Sequence, residues 1–259
     1  LHSNGLVIEN AGLTNSLITG APVGVSKISY NPERETITVH VNRTIDAEEK
    51  FILQISYRGI AKMDEYGLFE SWDPKFNKSL DSNGPFILAS NNFPTGARYW
   101  FPCFDEPAKR ATFELQVNHP SGLNVYSNTN VVTAVKSNNG RTLSVLEQTG
   151  MLSTYQLSLS VNHLAVQSLE VKGFGKIRLI SSANSHGYYL YPHNEEDPFI
   201  GLIKSWHLDI PSFLKRSLEL VSNTTLTTPK DKLDIIILEG THLQNVQPGL
   251  ITIGRYNFW

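Results

Sequence analysis

The acidic pair Asp105-Glu106 is the first place in these 259 residues where chemistry could reside. It lies inside Pro94-Thr95-Gly96-Ala97-Arg98-Tyr99-Trp100-Phe101-Pro102-Cys103-Phe104-Asp105-Glu106-Pro107-Ala108-Lys109-Arg110. Aromatic residues flank the two carboxyls, prolines restrict the loop, and Arg98, Lys109 and Arg110 stand close enough in sequence to compensate charge. One reading makes Asp105 and Glu106 an acid–base pair. The other makes them acceptors of ion pairs and hydrogen bonds that lock a loop beneath a strand, with Arg98 and Pro107 in the same lock and Cys103 as a small buried hydrophobe. Adjacent side chains of an extended segment point to opposite faces and seldom converge on one atom, which favours the lock.

Metal chemistry has less support. The eight histidines, at 2, 40, 119, 163, 186, 193, 207 and 242, include no His-Glu-x-x-His, the helical spacing that turns two imidazoles toward one zinc ion with a carboxylate base between them. His186 and His193 with Glu195, Glu196 and Asp197 are the one cluster of imidazoles and carboxylates, and they read first as a solvated loop leading into a capped helix. Cys103 is the sole cysteine, so an intrachain disulfide and a cysteine-based zinc site are both excluded. A glycine-rich phosphate loop and a Gly-x-Ser-x-Gly elbow are absent too.

The elements that would position these residues are mostly strands. Val25 to Tyr30 alternates, Asn31-Pro32-Glu33-Arg34-Glu35 supplies turn chemistry, and Ile37, Val39 and Val41 alternate with Thr36, Thr38 and His40, which predicts a hairpin. Phe51 to Tyr57 is the expected next strand. Ala111, Phe113, Leu115 and Val117 share one face of a further strand. Arg141 to Leu146 and Tyr155 to Val161 follow the same design, the latter with Tyr155, Leu157, Leu159 and Val161 on one side. So many half-apolar strands are most simply hidden between two packed sheets.

Beyond residue 169 the pattern changes. Lys176 to Ile180, Leu233 to Leu238 and Leu250 to Ile253 read as strands. Between the first two, Asp197 as cap and Pro198 at the first helical position open a stripe through Phe199, Ile203, Trp206, Ile210, Phe213 or Leu214, and Val221. Pro211 interrupts it, so a kink or two helices divided near Asp209 are expected. The chain therefore divides into 1–168, all β, and 169–259, the incomplete start of an α/β domain.

Composition bounds the rest. Lys and Arg number 22 and Asp and Glu 24, a net charge of 22 − 24 = −2, so no nucleic-acid partner is expected. With 40% hydrophobic and 18% charged residues, the chain is not disordered. The longest aliphatic run, Ile235 to Leu238, is too short to span a membrane, and Leu1-His2-Ser3-Asn4-Gly5 has no signal-peptide character. Because Leu1 is not Met, a processed product, a fragment or part of something longer is expected. Asn42-Arg43-Thr44, Asn77-Lys78-Ser79 and Asn223-Thr224-Thr225 are glycosylation acceptor sequences, no more than random placement gives.

The Phe-Pro-Cys-Phe-Asp-Glu-Pro-Ala stretch at 101–108, followed by Lys109-Arg110, resembles the N-terminal domain of zinc aminopeptidases of the aminopeptidase N type. Leu1-His2-Ser3, Tyr66-Gly67-Leu68-Phe69, Lys232-Leu233-Asp234 and Gly249-Leu250-Ile251-Thr252 support the resemblance in the same order along the chain. It implies a mainly β fold, a saddle-like antiparallel β-sandwich followed by the first β-α-β part of a thermolysin-like domain. Its early strands would lie upstream of Leu1, leaving a sheet edge for a partner chain to cover.

The resemblance also locates departures. The family's Gly-Ala-Met-Glu-Asn segment falls on Leu243-Gln244-Asn245-Val246-Gln247, with Pro248 for the following Trp. Val246 replaces the Glu that holds a substrate's α-amino group, and Asn91 replaces a Gln that also reaches it. Asn91, Gln244, Asn245, Val246 and Gln247 are thus a vestigial substrate-binding set. The family's zinc motif should lie beyond Trp259, so no catalytic residue, metal ligand or cofactor is assigned in this chain, and zinc is expected only with a downstream catalytic region. These features imply a non-catalytic homologue or fragment acting as a binding or structural module, with a peptide or protein as ligand. The alternatives are the N-terminal part of an active zinc metalloaminopeptidase and a subunit of a larger assembly. An extracellular or cell-surface location is expected, with a cytoplasmic one also open.

Overall fold

The computed structural model describes residues 1–16, 22–62, 64–71, 87–172, 175–182, 188–189, 207–208, 210–224, 232–238 and 241–254. In chain order the strands begin with β1 (Val7–Asn15), β2 (Pro22–Val23), β3 (Val25–Asn31), β4 (Thr36–Val41), β5 (Phe51–Arg58), β6 (Gly67–Ser71) and β7 (Ile87–Asn91). They continue with β8 (Arg110–Ala111), β9 (Gln116–Pro120), β10 (Asn124–Ser127), β11 (Val131–Lys136), β12 (Arg141–Leu146), β13 (Leu152–Ser153) and β14 (Leu159–Asn162). The last group is β15 (Ala165–Val171), β16 (Gly175–Ser181), β17 (Tyr188–Tyr189), β18 (His207–Leu208), helix α1 (Ile210–Thr224), β19 (Asp234–Leu238), β20 (Gln244–Gln247) and β21 (Leu250–Gly254). The protein is mainly β, with mostly antiparallel pairing, as the alternating pattern requires.

Two compact units share the chain. The first comprises Leu1–Glu70, Ser90–Phe113 and Gly150–Leu157; the second comprises Ser71–Ala89, Glu114–Thr149 and Ser158–Trp259. In the first, β1 is flanked by antiparallel β2 and β5, and β3 pairs with β4 as the expected hairpin. The hairpin turn is set locally: the Asn31 carboxamide oxygen accepts the Arg34 N–H, and Glu35 takes a left-handed φ of 52°. Ile37, Phe69, Ala97, Cys103 and Leu157 are among the buried apolar side chains of this unit.

The expected single strand from Ala111 to Val117 is divided. Arg110–Ala111 pairs with β13, residues 112–115 have no ladder, and β9 pairs with β12. The apolar alternation survives from Phe113 onward, because Phe113, Leu115 and Val117 are half-buried while Thr112, Glu114 and Gln116 are exposed; Ala111, expected on the same face, is exposed. Periodicity reports which side is buried and is silent on which strand is the partner. The expected Tyr155–Val161 strand is likewise shortened. Residues Thr154–Gln156 form a 3₁₀ turn in which the Gln156 side-chain oxygen accepts the Ser153 N–H, and only Leu159–Asn162 is extended. All four residues of β14 are buried, so Ser160 and Asn162 lie in the interior beside Leu159 and Val161.

In the second unit, β14 lies between antiparallel β10 and β7, and β12 lies between β11 and β9. A five-stranded sheet has the order β15-β16-β19-β21-β20, with β16, β19 and β21 parallel and the two outer strands antiparallel to their neighbours. The chain between the parallel neighbours β16 and β19 includes α1, a β-α-β crossover. Every residue of β19 is buried, the mark of a strand covered on both faces.

Helix α1 starts at Ile210, so Pro211 stands in its first turn, where a missing N–H costs nothing. Leu214 and Leu218, one turn apart, pack on a core of Val171, Ile177, Leu179, Leu233, Ile235 and Ile237. Of the expected stripe, Leu214 is the inward residue, whereas Phe213 is 48% and Val221 44% exposed. The proposed cap at Asp197-Pro198, the stripe residues Phe199, Ile203 and Trp206, and the division near Asp209 lie outside the described residues.

Candidate functional site

In the first unit the acidic pair is split by burial. Asp105 is 4% exposed, while Glu106 and Pro107 are exposed. The Asp105 carboxylate accepts Arg98 Nε at 3.0 Å and the Thr154 hydroxyl at 2.8 Å, and its backbone N–H donates to His2 Nδ1 at 3.1 Å. Arg98 also donates from its Nη1 to Glu35 at 2.7 Å, so one guanidinium spans two carboxylates. Glu35 further accepts the Tyr99 hydroxyl and the Asn4 carboxamide. These hydrogen bonds, that from Arg98 foremost, hold the Glu35 carboxyl below its ordinary value.

Cys103 is buried nearby, and burial pushes its thiol up to about 12, the reverse of what a nucleophile needs. His2 exchanges backbone hydrogen bonds with Cys103, and the Pro107 carbonyl accepts the Ser153 hydroxyl at 2.6 Å. Asp105 and Glu106 therefore do not converge on a point: one is sealed in a saturated hydrogen-bond network and the other faces solvent. This is a structural lock.

The second assembly is the β20–β21 hairpin at the end of the five-stranded sheet. The Gly254 N–H donates to the Leu243 carbonyl at 2.6 Å, and Gln247 lies opposite Leu250. Alternation of the antiparallel ladder then directs Asn245 and Gln247 toward β21. The backbone N–H and C=O groups of Gln244 and Val246 face the other side, which has no neighbouring strand among the described residues. The side chains alternate as well. Asn245 and Gln247 are buried and bonded to each other at 2.8 Å, whereas Gln244 is exposed and Val246 is 68% exposed.

Asn91, at the end of β7, is half-buried, and its amide donates to the Glu65 carbonyl at 2.9 Å. That donor is committed to the backbone, a constraint the sequence did not signal.

Sequence reasoning also missed what anchors the hairpin. The Asn128 amide donates to the Pro248 carbonyl at 2.8 Å while its oxygen accepts the Ser158 N–H at 2.8 Å. Gly249 has a φ of 76°, and a Cβ there would collide with the Asn128 carbonyl. At the start of β19, Asp234 is clasped by Arg178 through two 2.6 Å bonds and by Lys232 at 2.9 Å. The Lys232 ammonium also donates to the Ser127 and Thr129 carbonyls, and burial pushes it below the usual lysine range. Lys232-Leu233-Asp234 was visible as a motif; its partners, Arg178 and the Ser127 and Thr129 carbonyls far upstream, were not.

Of the acceptor sequences, Asn42 is exposed after β4, Asn77 lies outside the described residues, and Asn223 is in the last turn of α1. The cluster at His186, His193, Glu195, Glu196 and Asp197 also lies outside them. Among the described residues, no three of His, Cys, Asp and Glu are grouped so as to hold a metal ion.

Residues 1–156 match the Peptidase M1 N-terminal domain, and the chain belongs to that family. Thyrotropin-releasing hormone-degrading ectoenzyme from Homo sapiens is 30% identical over 179 residues, 69% of this chain and 16% of that protein. Membrane alanyl aminopeptidase from Manduca sexta is 27% identical over 174 residues, 65% of this chain and 17% of its own. Aminopeptidase N from Bos taurus is 27% identical over 165 residues, 60% and 16% respectively. The matched part is about a sixth of the length of each of these relatives.

Proposed function

We propose that this chain is a non-catalytic, peptide-binding module of the aminopeptidase N type. Residue 246 carries the reading. The open side of β20 offers the N–H and C=O groups of Gln244 and Val246 to an extended peptide, which would bind by adding a strand. An isopropyl group in place of a carboxylate gives no anion to a peptide's terminal ammonium. Because Val246 is largely exposed, that ammonium would stay hydrated, so the loss is one of attraction and selectivity rather than a desolvation penalty. Asn91, Gln244, Asn245 and Gln247 complete the vestigial set by resemblance.

The test is titration of the chain with one uncharged, extended heptapeptide in N-acetylated and free-amine forms. Equal affinities are expected. A tenfold preference for the free amine, or hydrolysis of an aminoacyl fluorogenic amide by the native protein with stoichiometric zinc, would reject the reading.

The length of the relatives favours a second reading. These residues would be the N-terminal part of a zinc metalloaminopeptidase whose catalytic helices lie outside them. A native mass well above 29.0 kDa, with a downstream His-Glu-x-x-His, would favour it. Under either reading we place the domain boundary near residue 168 and the protein outside the cell or at its surface. The words "ectoenzyme" and "membrane" in the relatives' names support that location. No helix among the described residues is long and apolar enough to cross a membrane.

A further inference from the structure

We infer that Asn42 is an N-linked glycosylation site, an assignment that rests on the extracellular placement proposed above and is independent of peptide binding at β20. Asn42-Arg43-Thr44 has the acceptor spacing, in which the hydroxyl two residues on assists the carboxamide. The fold then decides whether a sugar is tolerated. Residues 42 to 48 are all exposed, in the connection between β4 and β5. Arg43, the middle residue, is held to the protein surface: its guanidinium donates to both Glu49 carboxylate oxygens, at 2.9 and 2.7 Å, and to the Thr44 carbonyl at 2.8 Å. It also lies 5.6 Å from the centre of the Phe51 ring.

The loop therefore has a defined form, in which Asn42 and Thr44 stand at exposed positions beside an anchored arginine. The Asn42 backbone N–H is satisfied by the Gly24 carbonyl at 3.0 Å, and its carboxamide lies over Gly24 where a Cβ would collide with Nδ2. Asn42 as a whole is exposed, so a glycan reaches solvent once this carboxamide turns off Gly24. Asn223 differs: it lies in the last turn of α1, and the hydroxyl residue of its acceptor sequence lies outside the described residues.

In the transfer, Asn42 Nδ2 forms a bond to the anomeric carbon of an oligosaccharide carried on a lipid pyrophosphate. The bond from that carbon to the pyrophosphate oxygen breaks, the lipid pyrophosphate leaves with the electron pair, and Nδ2 loses one proton. No oxidant or reductant is involved.

Two measurements test this. The full chain, translated behind a secretion signal with microsomes, should gain mass that peptide-N-glycosidase removes, converting Asn42 to Asp in the mapped peptide. Asn42→Gln and Thr44→Ala should each abolish the gain at that peptide, and Thr44→Ser should retain it. The same peptide from the native protein should carry the modification. An unmodified Asn42 in microsomes would overturn the acceptor assignment. Modification there but not in the native protein would overturn both the native assignment and the extracellular placement, and would leave the binding reading of β20 intact.

Discussion

The Asn128 carboxamide reaches across 120 residues of chain to the Pro248 carbonyl, at 2.8 Å, and with its other end caps the Ser158 N–H. Within the second unit, the strand end after β10 is thus tied to the turn that joins β20 to β21. Lys232 repeats the tie from β19 by donating to the Ser127 and Thr129 carbonyls. The placement of Val246 depends on these contacts, because a two-residue turn fixes the register of the strand that carries it.

Gly249 is the least replaceable residue of that turn. Alanine there must hold a φ of 76° and push its Cβ against the Asn128 carbonyl, so Gly249→Ala should cost about 2 kcal/mol or more. Asn128→Ala should cost about 1–3 kcal/mol by leaving the Pro248 carbonyl and Ser158 N–H without this partner. The double variant should lose less than the sum, since the two residues touch. Urea midpoints at constant m-value provide the check.

The acidic pair should divide sharply in stability. Asp105 is buried with Arg98 and Thr154, so Asp105→Ala should cost about 3–5 kcal/mol by leaving the guanidinium without one of its two carboxylates. Glu106 is exposed, and Glu106→Ala should fall within about 0.5 kcal/mol of the parent. Chemical denaturation of the two variants side by side decides it, and equal losses would contradict the lock.

Much of this was legible in the sequence for physical reasons that can be named. The β3–β4 hairpin was readable because β-branched alternation and an Asn-Pro turn are local signals, and the alternation of adjacent side chains argued that Asp105 and Glu106 do not converge without indicating which of them is buried. Gly249 was visible within Gly249-Leu250-Ile251-Thr252, yet its reason, the Asn128 carbonyl pressed against it, is a contact between distant segments. The break at residues 112–115 was unreadable because an alternating pattern is the same whichever strand supplies the ladder. On α1, Phe213 and Leu214 offered adjacent apolar faces, and only packing on the buried cluster around Ile177 to Leu179 and Leu233 to Ile237 selects Leu214. Asn91's bond to the Glu65 carbonyl had no signal in either residue.

Acid should weaken the first unit through Glu35. Its carboxyl lies below the ordinary 4.5 when folded, so the stability it contributes is complete above the unfolded value and is lost as pH falls through the folded one. Glu35→Gln should therefore flatten the decline of the thermal midpoint as pH falls below the ordinary 4.5, while lowering the midpoint at neutral pH. A decline of unchanged steepness would mean that other carboxylates, such as Glu49, held at about 2 by Arg43, set the acid limb.

Cys103 should be chemically silent in the native fold. Burial pushes its thiol up to about 12, so the thiolate is scarce near neutrality and shielded from reagents. Iodoacetamide should label it only after denaturation, as intact mass would show. Rapid labelling in native buffer would mean that the lock around His2 and Asp105 opens readily.

Val246→Glu should restore a preference that the native strand lacks. The new carboxylate would stand at a position now 68% exposed, beside backbone groups of β20 that face no strand among the described residues, where a bound peptide's terminal ammonium could approach it. A pair this exposed is worth about 0.5–1 kcal/mol, so the free-amine heptapeptide should gain roughly two- to fivefold in affinity while the N-acetylated form is unchanged. The gain should shrink when salt is raised from about 0.05 M to about 0.5 M, because the screening length falls below the separation over which the charges attract. An equal gain for both peptides would show that residue 246 does not meet the peptide's first residue, and the register assigned to β20 would have to move.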